Sequence, residues 1–110
     1  MAYDEELADR VRGVLGAEAG VDEKRMFGGL GFMVEGRMAV AASGQGGLMV
    51  RVDPAASAAL VDGVTVQRMV MRGREMDGWL RVATEAVEAD DALQAWVGRG
   101  VAAARSLASG

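Results

Sequence analysis

The chain has 110 residues and 11.5 kDa, which suits one compact domain spanning 1–110, and its 51% hydrophobic and 25% charged content fits neither a disordered nor a fibrous protein. It contains no His and no Cys, which excludes a disulfide framework, a thiolate nucleophile, an imidazole base and any metal site built on sulfur or imidazole. A net charge of −4 and a pI near 4.8 argue against a nucleic-acid binder working by bulk charge.

A helix is predicted from about Asp4 to Leu15. The Asp4 carboxylate is placed as its N-cap, Glu5 and Glu6 sit at the positive end of its dipole, and Gly16 stops it. Leu7, Val11, Val14 and Leu15 form its apolar stripe, and Glu6 and Arg10 are spaced for an i, i+4 ion pair. After Gly28-Gly29-Leu30-Gly31, read as a flexible or tight turn, the period changes to two. Phe32 and Val34 alternate with Met33 and Glu35, and Glu35-Gly36-Arg37 is a hairpin connection. The partner strand runs from Met38 to Ala42 with Met38, Val40 and Ala42 on one face. A third strand, Leu48 to Val52, places Leu48, Val50 and Val52 inward and Arg51 outward. Three sequential strands with short connections imply an antiparallel meander.

Asp53-Pro54 opens a second helix through Ala55 to Val61, stopped at Gly63, because Asp is a good N-cap and Pro loses nothing at the first helical position. Val64 to Arg72 reads as strand. Met69 and Met71 lie on one of its faces, taken as the core side, and Arg68, Val70 and Arg72 on the other. Gly73 to Gly78 reads as a turn and Trp79 to Ala83 as the last strand, with Leu80 and Val82 inward. Asp90 or Asp91 caps a final helix to about Leu107, whose apolar face is Leu93, Trp96, Val97, Val101 and Ala104. Gly98 and Gly100 inside it either permit close packing on the sheet or weaken the helix. The order α-β-β-β-α-β-β-α indicates an α+β fold, most simply two layers with the helices on one sheet face.

The block Lys24-Arg25-Met26-Phe27-Gly28-Gly29-Leu30-Gly31-Phe32-Met33-Val34-Glu35-Gly36-Arg37-Met38 resembles the signature of the TfoX N-terminal domain family. Leu48-Met49-Val50-Arg51-Val52, Gly73-Arg74-Glu75-Met76-Asp77-Gly78-Trp79, and Leu93 with Trp96-Val97 agree with it, so the resemblance spans about residues 4–105. Its more specific blocks are Met26-Phe27-Gly28-Gly29, with Gly31 and Phe32 following, and Met76-Asp77-Gly78-Trp79. The resemblance implies a two-layer α-β(3)-α-β(2)-α fold, mainly antiparallel and secretion-chaperone-like. Its best-known members are competence regulators that act with the cyclic-AMP receptor protein at a special class of promoter sites, and they carry a second, C-terminal domain. Stand-alone copies are common, and this chain is expected to be one.

The remaining features leave alternatives open. The run from Met26 to Phe32 is either an anion-binding loop or, as favoured, a tight turn with both Phe residues in the core; it lacks the Gly-Lys-Ser/Thr end of a P-loop. Trp79 either shares an exposed face with Arg81, as a stacked cation–π pair, or covers its turn while Asp77 bonds backbone N–H groups. Arg68, Arg72, Arg74 and Arg81 either contact nucleic acid or form a solvated face paired with Glu75 and Glu35, the reading preferred here. Met33, Met49 and Trp79 fall opposite the inward positions, where an apolar patch would serve protein contact or self-association.

Twenty Ala, sixteen Gly, fifteen Val and eleven Arg against the single Lys24 suggest a GC-rich bacterial genome. The start is acidic and no apolar run approaches the roughly 20 residues of a membrane span, so a cytoplasmic protein is expected. The expectations are a non-enzymatic, cofactor-free interaction module with a protein partner, homodimerisation possible in principle, no membrane, and nucleic acid as the weaker alternative. A carboxylate-based site at Glu75 and Asp77, or a small-molecule binder, is the third reading.

Overall fold

The computed structural model describes residues 3–26 and 28–109. Helix α1 spans Glu5–Leu15, and the Leu7 N–H donates to the Asp4 carboxylate at 3.1 Å, the predicted cap. Arg10 does not use Glu6. Its guanidinium donates to the Glu88 carbonyl at 2.9 Å and the Asp90 carboxylate at 3.1 Å, because a tertiary neighbour outcompetes a weak local pair.

Strands β1 (Val21–Met26), β2 (Gly29–Val34), β3 (Arg37–Ala42) and β4 (Leu48–Arg51) follow as an antiparallel meander. A 3-10 turn at Pro54–Ala56 leads into the short helix α2 (Ser57–Leu60), then strands β5 (Val66–Met71) and β6 (Arg74–Val82). A second 3-10 turn at Thr84–Val87 precedes helix α3 (Asp90–Ser109). The sheet order is β1-β2-β3-β4-β6-β5, every neighbour antiparallel. The α+β expectation holds. Beyond it, β6 returns to pair with β4 and leaves β5 at the edge.

Two segments differ from the sequence reading. A further strand, β1, precedes the expected three; its Asp22-Glu23-Lys24-Arg25 core shows no apolar alternation because it is an edge strand, where charge is the usual protection. Gly29-Leu30-Gly31 is strand, Gly29 paired with β1 and Leu30 and Gly31 with both β1 and β3, so the run is part of the sheet ladder and not an anion-binding loop. A Cβ at Gly29 would stand 2.5 Å from the Ala42 carbonyl oxygen, so glycine here serves close approach. Gly28, at φ +75°, lies outside both strands, and Phe27, the other Phe expected in the core, lies outside the described residues.

The β5–β6 turn is likewise only Arg72 and Gly73, with φ of +53° and +78°, the two-residue form that matches strand twist. The residues from Arg74 to Gly78, read as turn, belong to β6. Gly78, at φ +89°, sits where the register breaks between Arg68 and Met69. The buried Ser57 hydroxyl accepts from the Gly78 N–H at 3.4 Å, and the Val52 N–H donates to the Gly78 carbonyl at 2.9 Å.

Leu30, Phe32, Val34, Val40, Ala42, Leu48, Val50, Leu80, Val82 and Val66 line one face, under Leu7 and Val11 of α1 and Leu93, Trp96, Val97 and Ala104 of α3. Helix α3 crosses β3 most closely at Gly100. The edge strand β1 is clipped to α1 by Arg12, which forks Glu23 at 2.7 and 3.0 Å and also meets Asp9. That contact holds the Glu23 carboxyl below its ordinary value. Arg105 of α3 bonds Glu18 at 2.9 Å and Glu35 at 3.0 Å. Before β5, the Asp62 carboxylate accepts from the Thr65 hydroxyl and from the N–H groups of Val64, Thr65 and Val66, which hold it well below the usual carboxylate range.

A candidate interaction surface

Alternation along the strands puts a second set of side chains on the face away from the helices. Cross-strand pairs there include Lys24 with Gly31, Ala41 with Met49, Met49 with Arg81, Arg51 with Trp79, and Gln67 with Arg81. Met38 joins this face although the sequence reading put it with Val40 and Ala42. The register shift at Phe32/Met33 pairs it with Met33, and its Cε lies over Gly31, 3.3 Å from where a Cβ would be. Met69 also belongs here. It pairs with Met76, one residue out of phase with the inward Val66 and Arg68, and is half-buried outside the core. The expected core role for Met69 is therefore not realised, and the side chain of Met71 lies outside the described residues.

Met33, Met38, Met49, Met69, Met76 and Trp79 are thus half-exposed on one side of the sheet. Methionine is unbranched and polarisable, so such a surface adapts to partners of varied shape. Tryptophan, methionine and arginine are also the side chains over-represented at protein interfaces.

Trp79 is stacked, but not by Arg81. The guanidinium carbon of Arg51 lies 4.5 Å from the Trp79 ring centroid, and Arg51 Nε donates to the Met38 carbonyl at 2.6 Å. Two fixed ends hold the guanidinium flat over the indole, a contact worth about 0.5–2 kcal/mol depending on desolvation. Burial, and secondarily the neighbouring charge of Arg37, lowers the Arg51 pKa, though a guanidinium stays charged. Sequence alternation alone placed Arg51 outward. Its partnership with Trp79 needed the pairing of β4 with β6, which are not consecutive strands.

The arginine cluster is dispersed. Arg81 lies on the open face, while Arg68 pairs with Leu80 on the helix side and reaches Glu75 at 3.7 Å. Arg72 occupies the turn and Arg74 the start of β6. Glu75 is engaged as expected, whereas Glu35 serves Arg105. Of the family blocks, Phe32 is fully buried, Gly29 and Gly31 sit in β2, and Met76, Gly78 and Trp79 in β6. The side chains of Met26 and Asp77 lie outside the described residues, and with them the expected turn contacts of Asp77. Among the described residues no group of three His, Cys, Asp or Glu side chains is placed to hold a metal, and no helix is long and apolar enough to cross a membrane.

A family model described as the TfoX N-terminal domain matches residues 14–104. Comparisons with curated proteins and with solved structures return no match.

Proposed function

The chain belongs to the TfoX N-terminal domain family, and from that premise we propose that it is a non-enzymatic module of bacterial, cytoplasmic gene regulation acting through protein contact. The observation that carries this reading is the open sheet face, where five methionines share the side of a tryptophan stacked by arginine. Interfaces concentrate their binding energy in such Trp and Arg anchors, with adaptable apolar neighbours excluding water.

The test is chemical cross-linking and light scattering on wild type, on a Met49→Glu/Trp79→Ala variant, and on Arg105→Ala at the helical side. Folded controls come from circular dichroism. The reading expects a cross-linked partner or self-association that the face variant loses and Arg105→Ala keeps. Identical products from all three proteins would remove the open face from the function.

A second reading, nucleic-acid contact, draws on Lys24, Arg51 and Arg81 sharing that face. It expects duplex DNA binding that weakens steeply as salt rises from about 50 to about 200 mM. No binding at low salt would dismiss it.

A further inference from the structure

The register lines up one row of residues across the open face of all six strands: Lys24 of β1, Gly31 of β2, Ala41 of β3, Met49 of β4, Arg81 of β6 and Gln67 of β5. Directly opposed residues of antiparallel strands share a face, so a cation stands on each flank, four strand spacings or about 19 Å apart. Between the flanks the floor is glycine, alanine and methionine, with Met38 Cε folded over Gly31. The adjoining row sets Asp22 beside Met33 and Met38 at one end and Arg51 beside Trp79 at the other.

Lys24, Arg51 and Arg81 form no ion pair with a carboxylate among the described residues, in contrast with Arg10, Arg12, Arg68 and Arg105. Asp22 is the acid that the register places on this face among the described residues. Cations therefore outnumber acids here, on a chain whose net charge is −4. A second copy of the chain is a poor occupant, because a two-fold axis sets the same patch against itself, cation on cation. Duplex DNA matches the charge but offers nothing apolar to the methionine floor and Trp79. An amphipathic helix answers both. Its diameter of about 10–12 Å fits between the flanking cations, and its polar borders lie where those cations reach. The other face of the same sheet is already covered in this way, by the apolar stripes of α1 and α3.

We propose that the open face docks one amphipathic helix of a partner protein, its apolar stripe on Met33, Met38 and Met49, and acidic side chains on both borders of the stripe paired with Lys24 and Arg81. The inference rests on the open-face reading above and names the partner chemistry which that reading leaves open.

The test titrates two peptides of about 18 residues, alike in a leucine stripe at i, i+3, i+4 and i+7, one with glutamates and one with lysines on both borders of the stripe. The readout is Trp79 emission in a Trp96→Phe background, where Trp79 is the remaining tryptophan. The glutamate peptide is expected to saturate and to move the emission to shorter wavelength, with the lysine peptide about tenfold weaker or more. Lys24→Glu/Arg81→Glu, shown folded by circular dichroism, should reverse that preference, and Arg105→Ala on the helical side should leave it unchanged. The proposal is overturned if the lysine peptide binds as tightly as the glutamate peptide, if neither saturates, or if the folded charge-reversed variant keeps the original preference. It is also overturned if duplex DNA, and neither peptide, shifts the emission. If cross-links to a partner still depend on the open face while the glutamate peptide fails, the acidic helix falls and the protein-contact reading stands; cross-links indifferent to the face remove both.

Discussion

Helix α3 carries two glycines with opposite surroundings, which makes them a matched pair for testing how the helix seats on the sheet. A Cβ added at Gly98 meets nothing within 4 Å. Replacing Gly98 by Ala should therefore deliver only the helix-propensity gain, about 1 kcal/mol. At Gly100 the same methyl would stand 2.5 Å from the Ala39 carbonyl oxygen and 2.7 Å from Val40 Cγ1. Restoring an ordinary contact of about 3.4 Å requires α3 to retreat from β3 by roughly 0.9 Å, loosening contacts along the whole apolar face. Overpacking of this kind costs about 1–3 kcal/mol, and backbone on the opposing side puts Gly100→Ala near the upper end. After the propensity gain is subtracted, a net loss of about 2 kcal/mol remains. Urea unfolding followed by far-UV circular dichroism and tryptophan fluorescence resolves a difference of that size between the two variants. Equal stabilisation by both substitutions would show that α3 does not rest on β3 through Gly100.

Other expectations follow from the core, the turn before β5 and the stacked arginine. Phe32 is fully buried in the core between sheet and helices, so Phe32→Ala should lose about 3–5 kcal/mol in urea unfolding. The Asp62 carboxyl titrates lower in the folded than in the unfolded chain, so its contribution is complete above about pH 4 and is lost as the pH falls further. Asp62→Asn should be less stable than wild type at neutral pH, with the gap narrowing progressively as the pH falls below about 4; a gap independent of pH would refute the assignment. Arg51→Lys keeps the charge but not the planar stack, so Trp79 emission in a Trp96→Phe background should shift to longer wavelength.

Much of the architecture is local and therefore legible along the chain. The Asp4 and Asp53 caps, the Glu35-Gly36 turn and the inward run of Phe32, Val34, Val40, Leu48, Val50, Leu80 and Val82 follow from backbone preference and a period of two. The absence of His and Cys likewise limited the chemistry before any fold was considered. Where the reading stopped, a non-local quantity was at work. The charged β1 carries no apolar signature because it is an edge. Met38 changed sides because a bulge in β3 shifts its register against β2, which regular alternation does not report, and Met69 because buried Val66 sets the inward phase of β5.

The candidate sites divide in the same way. Trp79 and Arg51 were both legible as outward-facing, each from its own strand, yet only the pairing of β4 with β6 set one guanidinium over one indole. The row from Lys24 to Arg81 has no sequence signature at all, since its members come from strands that only the sheet order sets side by side. Sequence by itself determined which side-chain chemistries the chain holds and the inward run of its regular strands, because those depend on composition and local backbone geometry. Tertiary structure alone decided which of them meet, because strand order and helix seating arise from burial summed over the whole chain.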